Sequence, residues 1–170
     1  MVYAARYPSY APKLILLSSS GPTSNVFRYF LDNITMRLQP EDLKEIAVCD
    51  SLKKPIIKAI LPGYFFDRKR ALETEARLNL DDYNAKAENL TWPAYAADKN
   101  KRVEALKNYK GKVIIIQGRQ DPVGESTAYE IKELMPQTNI HFIEKCGHFP
   151  WLENDDQASE FFEALNAALN

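Results

Sequence analysis

The strongest constraint on this chain is a pair of apolar, β-branched runs near its C-terminus, each closed by a glycine-containing turn. Val113-Ile114-Ile115-Ile116-Gln117 leads into Gly118-Arg119-Gln120-Asp121-Pro122, and Ile140-His141-Phe142-Ile143-Glu144 leads into Lys145-Cys146-Gly147-His148-Phe149-Pro150. Continuous apolar runs of this length suit strands buried on both faces. The spacing predicts a strand at Val113 to Gln117, a helix at Glu125 to Met135, a strand at Asn139 to Glu144 and a helix at Asp155 to Leu169. Alternation of strand and helix requires parallel pairing through right-handed crossovers. A further run, Lys13 to Leu17, has the same buried-strand character, so an α/β fold with about three parallel strands is expected.

Between Thr23 and about Lys107 the pattern turns helical. Val26, Phe27, Phe30, Leu31, Ile34 and Leu38 recur at helical spacing. Pro40-Glu41-Asp42 opens a second helix with proline early and acids in the first turn. A third runs from near Pro55 through Leu61 and stops at Pro62-Gly63. A fourth follows Asp67, a fifth is capped by Asp81 or Asp82 and ends before Trp92-Pro93, and a sixth covers Lys99 to Asn108. The expected organisation is a core of residues 1–22 and 109–170, interrupted by an all-helical insertion over 23–108 whose loops are rich in aromatic residues.

Composition excludes several classes. Basic and acidic residues number 22 and 23, so no electrostatic footprint for nucleic acid exists. No apolar stretch approaches membrane-spanning length, and Met1 to Pro8 lacks the basic and apolar regions of a signal peptide. With Cys49 and Cys146 far apart, no disulfide framework is expected, and a cytoplasmic setting follows. His141 and His148 are the two histidines; neither has metal-ligand spacing, and no glycine-rich nucleotide loop occurs, so no metal or cofactor is expected.

Asp121 and His148 are the candidate site residues. They stand 27 residues apart, one strand-helix-strand unit, which brings both turns to the carboxyl edge of a parallel sheet, where open α/β sheets bind ligands. There His148 would act as general base, with Asp121 fixing its tautomer. Taken singly, Asp121 also reads as a turn or helix-cap residue and His148 as a loop histidine bonded to backbone. His141, inside a strand, reads as structural. Cys146 reads as a small buried residue rather than a thiol nucleophile. The aromatic residues Phe27, Tyr29, Phe30, Tyr64, Phe65, Phe66, Trp92 and Tyr95 read mainly as core of the insertion, with an apolar substrate pocket as the alternative. Glu41, Glu45, Glu73, Glu75 and Glu88 read as exposed helical carboxylates, with binding of a substrate ammonium group as the alternative.

These blocks resemble the α/β-hydrolase fold family. Tyr3-Ala4-Ala5-Arg6-Tyr7-Pro8 followed by Lys13 to Leu17 is similar to the family's helix after the nucleophile turn and its sixth strand. Gly118 to Pro122 resembles the turn that carries the acid, and Gly147-His148-Phe149-Pro150-Trp151-Leu152-Glu153 the turn that carries the histidine. Ser20-Gly21-Pro22 before an aromatic helix is most like the proline-iminopeptidase-type branch. The resemblance implies a lid over residues 23–108 and a serine hydrolase acting on an ester, amide or peptide bond of a small-molecule or peptide substrate. The Gly-x-Ser-x-Gly nucleophile turn is absent from these 170 residues, and none of Ser18, Ser19 and Ser20 has that setting. The expectation is therefore a partial fold, supplying acid, histidine and lid, inactive by itself, whose open strand edge favours self-association or docking on an upstream half. The alternatives are a catalytically dead fragment serving in binding or assembly, and a relative with an Asp nucleophile that opens carbon–halogen bonds or epoxides.

Overall fold

The computed structural model describes residues 1–78 and 84–170. The proposed caps Asp81 and Asp82 lie outside the described residues, as does the Glu88 side chain. Three parallel strands, β1 (Lys13–Leu17), β2 (Lys112–Gly118) and β3 (Thr138–Ile143), form one sheet in the order β1-β2-β3. Leu14 lies opposite Val113, and Ile115 opposite Ile140. This is a partial α/β fold: three parallel strands with flanking helices.

The central strand explains the sheet. Val113 and Ile115 point into one core with Leu16, Leu106, Ile131 and Met135, while Ile114 and Ile116 point into the other with Ile143, Cys146 and Phe161. Full burial of each such side chain contributes roughly 1.5–3 kcal/mol, so β2 must be covered on both faces. Helices α1 (Val2–Arg6), α7 (Lys99–Lys107) and α8 (Glu125–Leu134) contribute Ala4, Leu106 and Ile131 to the first core; α9 (Asp155–Leu169) contributes Phe161 and Ala168 to the second. Lys13 donates through Nζ to the carbonyls of Ala168 and Leu169, both at 2.7 Å. A cation there satisfies the C-terminal end of the α9 dipole. Phe162 and Leu169 are 55% and 61% exposed, since the buried stripe of α9 runs through Phe161 and Ala168.

Between β1 and β2 the chain forms α2 (Phe30–Thr35), α3 (Pro40–Ser51), α4 (Ile57–Ile60), α5 (Arg68–Glu75), α6 (Ala85–Ala97) and α7, with 3-10 turns at Asn25–Arg28 and Leu61–Tyr64. The single helix expected from Val26 to Leu38 is broken. Tyr29 leaves helical geometry at φ −134, ψ −8, while Thr23 and Asn25 hydrogen-bond to Glu130 of α8 at 2.8 and 2.9 Å. Those tertiary bonds outweigh the helical periodicity of a short segment. The turn Leu61–Tyr64 runs through Pro62-Gly63 rather than stopping there.

Helix α6 likewise passes through Pro93 instead of ending before Trp92. A proline inside a helix forfeits one backbone bond. Side-chain anchors offset that loss: Trp92 meets Phe27 edge-on with centroids 5.2 Å apart, and Tyr95 donates its hydroxyl to the Gly21 carbonyl at 2.5 Å. Two of the expected helix starts carry side-chain caps. Asp42 and Gln39 make a capping box at the start of α3, and the Asp67 carboxylate accepts from the amides of Lys69 and Arg70 at the start of α5.

Candidate active site

The two turns at the carboxyl ends of β2 and β3 are held together by backbone. The Arg119 amide donates to the Ile143 carbonyl, the Gln120 amide to the Cys146 carbonyl, and the Cys146 amide to Gln120 Oε1, each at 2.9 Å. Gly118 allows this approach. A Cβ at that position would lie 2.1 Å from the Gly147 carbonyl oxygen, far inside any real contact. Gly147 is equally constrained, since its Cβ would lie 2.1 Å from the carbonyl oxygen of Tyr64. These glycines are present for space rather than for an unusual φ.

Held in this way, Asp121 and His148 meet: His148 Nδ1 lies 3.0 Å from Asp121 Oδ1. The Asp121 side chain is fully buried, and that of His148 is 23% exposed. Asp121 Oδ1 also accepts the Val123 amide at 2.8 Å, which fixes the carboxylate within its own turn, while Oδ2 has no hydrogen-bond partner among the described residues. The His148 amide donates to the Tyr64 carbonyl at 2.7 Å, and the imidazole packs against the rings of Tyr64 and Phe149, with centroids 5.2 and 4.9 Å away. Asp121 occupies Nδ1, so Nε2 is the nitrogen left to exchange a proton.

Glu153 was not singled out by the sequence, yet it supports the histidine turn. Its side chain is fully buried, and Oε1 accepts the amides of Gly147 and Phe66, both at 2.8 Å. One carboxylate thus ties the residue before His148 to the helical insertion. Arg70 Nε adds to this junction by donating to the carbonyls of Leu152 and Glu153 at 3.0 and 3.2 Å. Burial pushes the Glu153 carboxyl above its ordinary pKa, against the lowering effect of the amide hydrogen bonds. In sequence it precedes Asn154-Asp155 at a helix start, where an acid reads as a surface residue; no local signal marks it as buried.

His148 borders a cleft of about 290 Å³, close to the small end for small-molecule sites, lined by Ser18, Ser20, Val26, Phe27, Phe30, Tyr64, Trp92, Val123 and His148. Four of the insertion aromatics therefore face the cleft, whereas Phe65 is buried with Leu61 and Ala71. Ser18 has a left-handed backbone, φ +44, where β1 ends, and its buried hydroxyl has no partner among the described residues. Cys146 is fully buried, and burial raises its thiol pKa, which suits a core residue and not a nucleophile. His141 pairs with Glu160 at 2.9 Å on the surface, tying β3 to α9. Both cysteines are free. Among the described residues no cluster of His, Cys, Asp and Glu suits a metal ion, and no helix is long and apolar enough to cross a membrane.

Comparisons with known proteins agree on the fold. The chain is 24% identical over 170 residues to Lipase 1 of Psychrobacter immobilis, covering 99% of this chain and 52% of that protein. Among solved structures it superposes on the meta-cleavage product hydrolase CumD of Pseudomonas fluorescens IP01 with a TM-score of 0.63 and 18% identity, covering 99% of this chain and 59% of that one. An alpha/beta hydrolase fold protein of Chitinophaga pinensis gives a TM-score of 0.55 at 17% identity, covering 98% and 58%. The chain thus has a partial α/β-hydrolase fold and spans about half to three-fifths of the length of these relatives. No protein-family model matches it.

Proposed function

We propose that this chain supplies the acid and the general base of a serine hydrolase acting on an ester, amide or peptide bond. The reading is carried by the 3.0 Å contact between His148 Nδ1 and the buried Asp121 carboxylate at the carboxyl end of parallel strands. In the reaction a serine Oγ attacks the substrate carbonyl carbon while its proton passes to His148 Nε2. His148 then returns that proton to the leaving group as the carbon–heteroatom bond breaks. Water, deprotonated by the same nitrogen, hydrolyses the acyl-serine. Asp121 holds the imidazole in the tautomer that leaves Nε2 as acceptor and stabilises the imidazolium.

The serine and the oxyanion donors come, on this reading, from residues other than these 170. The sheet has room for them. Among the described residues β1 pairs only with β2, and its outer edge presents half-buried Leu14 and Ile15 and an exposed Leu17. An open apolar edge of this kind favours addition of strands, from a further segment or a second copy. Residues 23–108 serve as a lid, placing four aromatic residues beside His148. No acid lines this cleft among the described residues, so its lining lends no support to the aminopeptidase-like substrate of the proline-iminopeptidase-type branch.

Labelling with a fluorophosphonate tests the reading. The protein, expressed with any coding sequence that precedes Met1, should be labelled on a serine, and His148→Ala should abolish the reaction. Asp121→Asn should slow it by about 10^4-fold, the loss expected when the tautomer is wrong. Labelling that is indifferent to both substitutions, or absent altogether, would remove the assignment.

A further inference from the structure

Two buried carboxylates bracket the histidine turn, and each is only half satisfied. Asp121 Oδ1 accepts from Val123 and faces His148, while Glu153 Oε1 accepts from Gly147 and Phe66. Asp121 Oδ2 and Glu153 Oε2 have no hydrogen-bond partner among the described residues, and both are sealed from solvent. Buried anionic oxygens left in this state call for a nearby cation.

Arg37 stands where such a cation is needed. It follows α2, its amide bonded to the Ile34 carbonyl at 3.1 Å, and α2 is pinned on both sides of the site. Asn33 donates through Nδ2 to the Pro122 carbonyl at 3.0 Å, next to Asp121. Ile34 abuts Gly63, where a Cβ would meet Ile34 Cγ1 at 2.5 Å, in the turn whose Tyr64 carbonyl accepts the His148 amide. The half-buried Arg37 side chain and the buried Asp121 line one recess of about 440 Å³ together with Asn33, Arg119 and Gly124. Burial holds the guanidinium below its ordinary pKa, and the charges of Asp121 and Glu153 act in the opposite direction. The neighbouring charges are already engaged: Arg119 pairs with Glu125 and Glu144, Arg70 pairs with Glu73, and Asp67 caps α5.

We infer that Arg37 is the shared counter-ion of Asp121 and Glu153, a positioning residue through which the insertion acts on the acid–base pair. Its charge offsets the mutual repulsion of the two carboxylates, and its field reaches His148 through Asp121. The two unpartnered oxygens are enclosed by residues of this chain, so the arrangement does not depend on strands added at the open edge of β1. A part for Arg37 in catalysis rests on the hydrolase reading; the charge arrangement does not.

Urea unfolding of the full chain at mildly alkaline pH, with Arg37→Met, Arg37→Lys and Glu153→Gln made singly and combined, tests it. Methionine keeps an apolar stem and removes the charge. Arg37→Met should lower the folding equilibrium constant about tenfold, and Arg37→Lys about threefold or less. In the Glu153→Gln background the loss from methionine should shrink to about threefold. With the His148 ring labelled with nitrogen-15, the Nδ1 proton resonance should move in Arg37→Met and stay near its wild-type position in Arg37→Lys, a dependence on charge that lost packing would not produce. Equal losses from methionine in both backgrounds, a lysine variant as impaired as the methionine one, or a resonance indifferent to the charge would each overturn the inference. Should Arg37→Met not fold, recovery of folding on adding Glu153→Gln supports the inference and failure to recover overturns it. Coupling without fluorophosphonate labelling of the wild type would retain the counter-ion and remove its part in hydrolysis; labelling without coupling would do the reverse.

Discussion

The turns after β2 and β3 and the helical insertion are built on different principles. The turns are fixed mainly by backbone: the amides of residues 119 and 120 donate to the carbonyls of residues 143 and 146, the Cys146 amide returns a bond to the Gln120 side chain, and two glycines sit where no side chain fits. The insertion is a series of short helices carrying exposed apolar residues, including Leu31 at 65% and Met36 at 83%. Its contribution to the cleft is made by side-chain rings. A proton-transfer pair needs its geometry held to a fraction of an ångström, and backbone in close contact provides that. Choice of ligand needs only shape and polarity, which rings on replaceable helices can supply. Glu153 bridges the two regions with a carboxylate that binds an amide from each, beside the bond from the His148 amide to the Tyr64 carbonyl.

The largest expected effect breaks the rigid side of this contrast. Gly118→Ala would place a methyl group against the backbone oxygens of residues 146 and 147, neither of which can yield without parting the turns. A loss of about 3 kcal/mol or more in urea unfolding is expected. Retention of full stability would mean that the turns are not tightly apposed.

Next comes the bridge. Glu153→Ala leaves two buried amides without an acceptor and should cost about 2–4 kcal/mol, whereas Glu153→Gln keeps the acceptor and should cost much less. The pH response has a definite sign. Burial raises the folded-state pKa of Glu153, so the native state binds its proton more tightly than the unfolded chain does. The stability linked to this group is complete below the ordinary carboxylate pKa and is lost as pH rises through the raised value. The unfolding midpoint of the wild type should therefore carry a downward component with pH across that window that the Gln variant lacks.

Within the insertion the largest single effect should be smaller. Asp42 accepts from Arg68 and caps α3 through the Gln39 amide. The hydrogen bond from Arg68 is the main reason its carboxyl titrates below the ordinary range. Asp42→Ala should cost about 1 kcal/mol. The contribution of the wild-type residue should be present above the ordinary aspartate pKa and vanish as pH falls through the lowered value. Smallest of all, Phe27→Ala should shift stability by less than about 1 kcal/mol, since the ring is half exposed, while altering what the cleft binds. A large destabilisation there would erase the distinction between a fixed frame and an adjustable wall.

How far the chain could be read in advance follows the same division. β1 and α9 coincide with the residues expected, and β2 and β3 differ by a residue or so at their ends, because an apolar run between glycine-rich turns has few other places to go. Asp121 and His148 were legible because each closes such a run. The insertion was less so: Glu130 pulls Thr23 and Asn25 away from a helix that periodicity favours, and ring contacts carry α6 through Pro93. Glu153 escaped notice because its partners are backbone amides at residues 66 and 147, and backbone partners leave no trace in side-chain spacing. The fate of the aromatic residues was likewise hidden, since periodicity does not distinguish a ring in a helix core from one at a cleft.

The central claim, that Asp121 and His148 form one acid–base unit, is most directly tested by the proton NMR spectrum of the native chain with the His148 ring labelled with nitrogen-15. A proton held between Nδ1 and Asp121 should give a strongly downfield resonance coupled to Nδ1, protected from solvent exchange and lost in Asp121→Ala while the fold persists. A His148 ring that carries its proton on Nε2, or a downfield resonance unchanged by that substitution, would contradict the account.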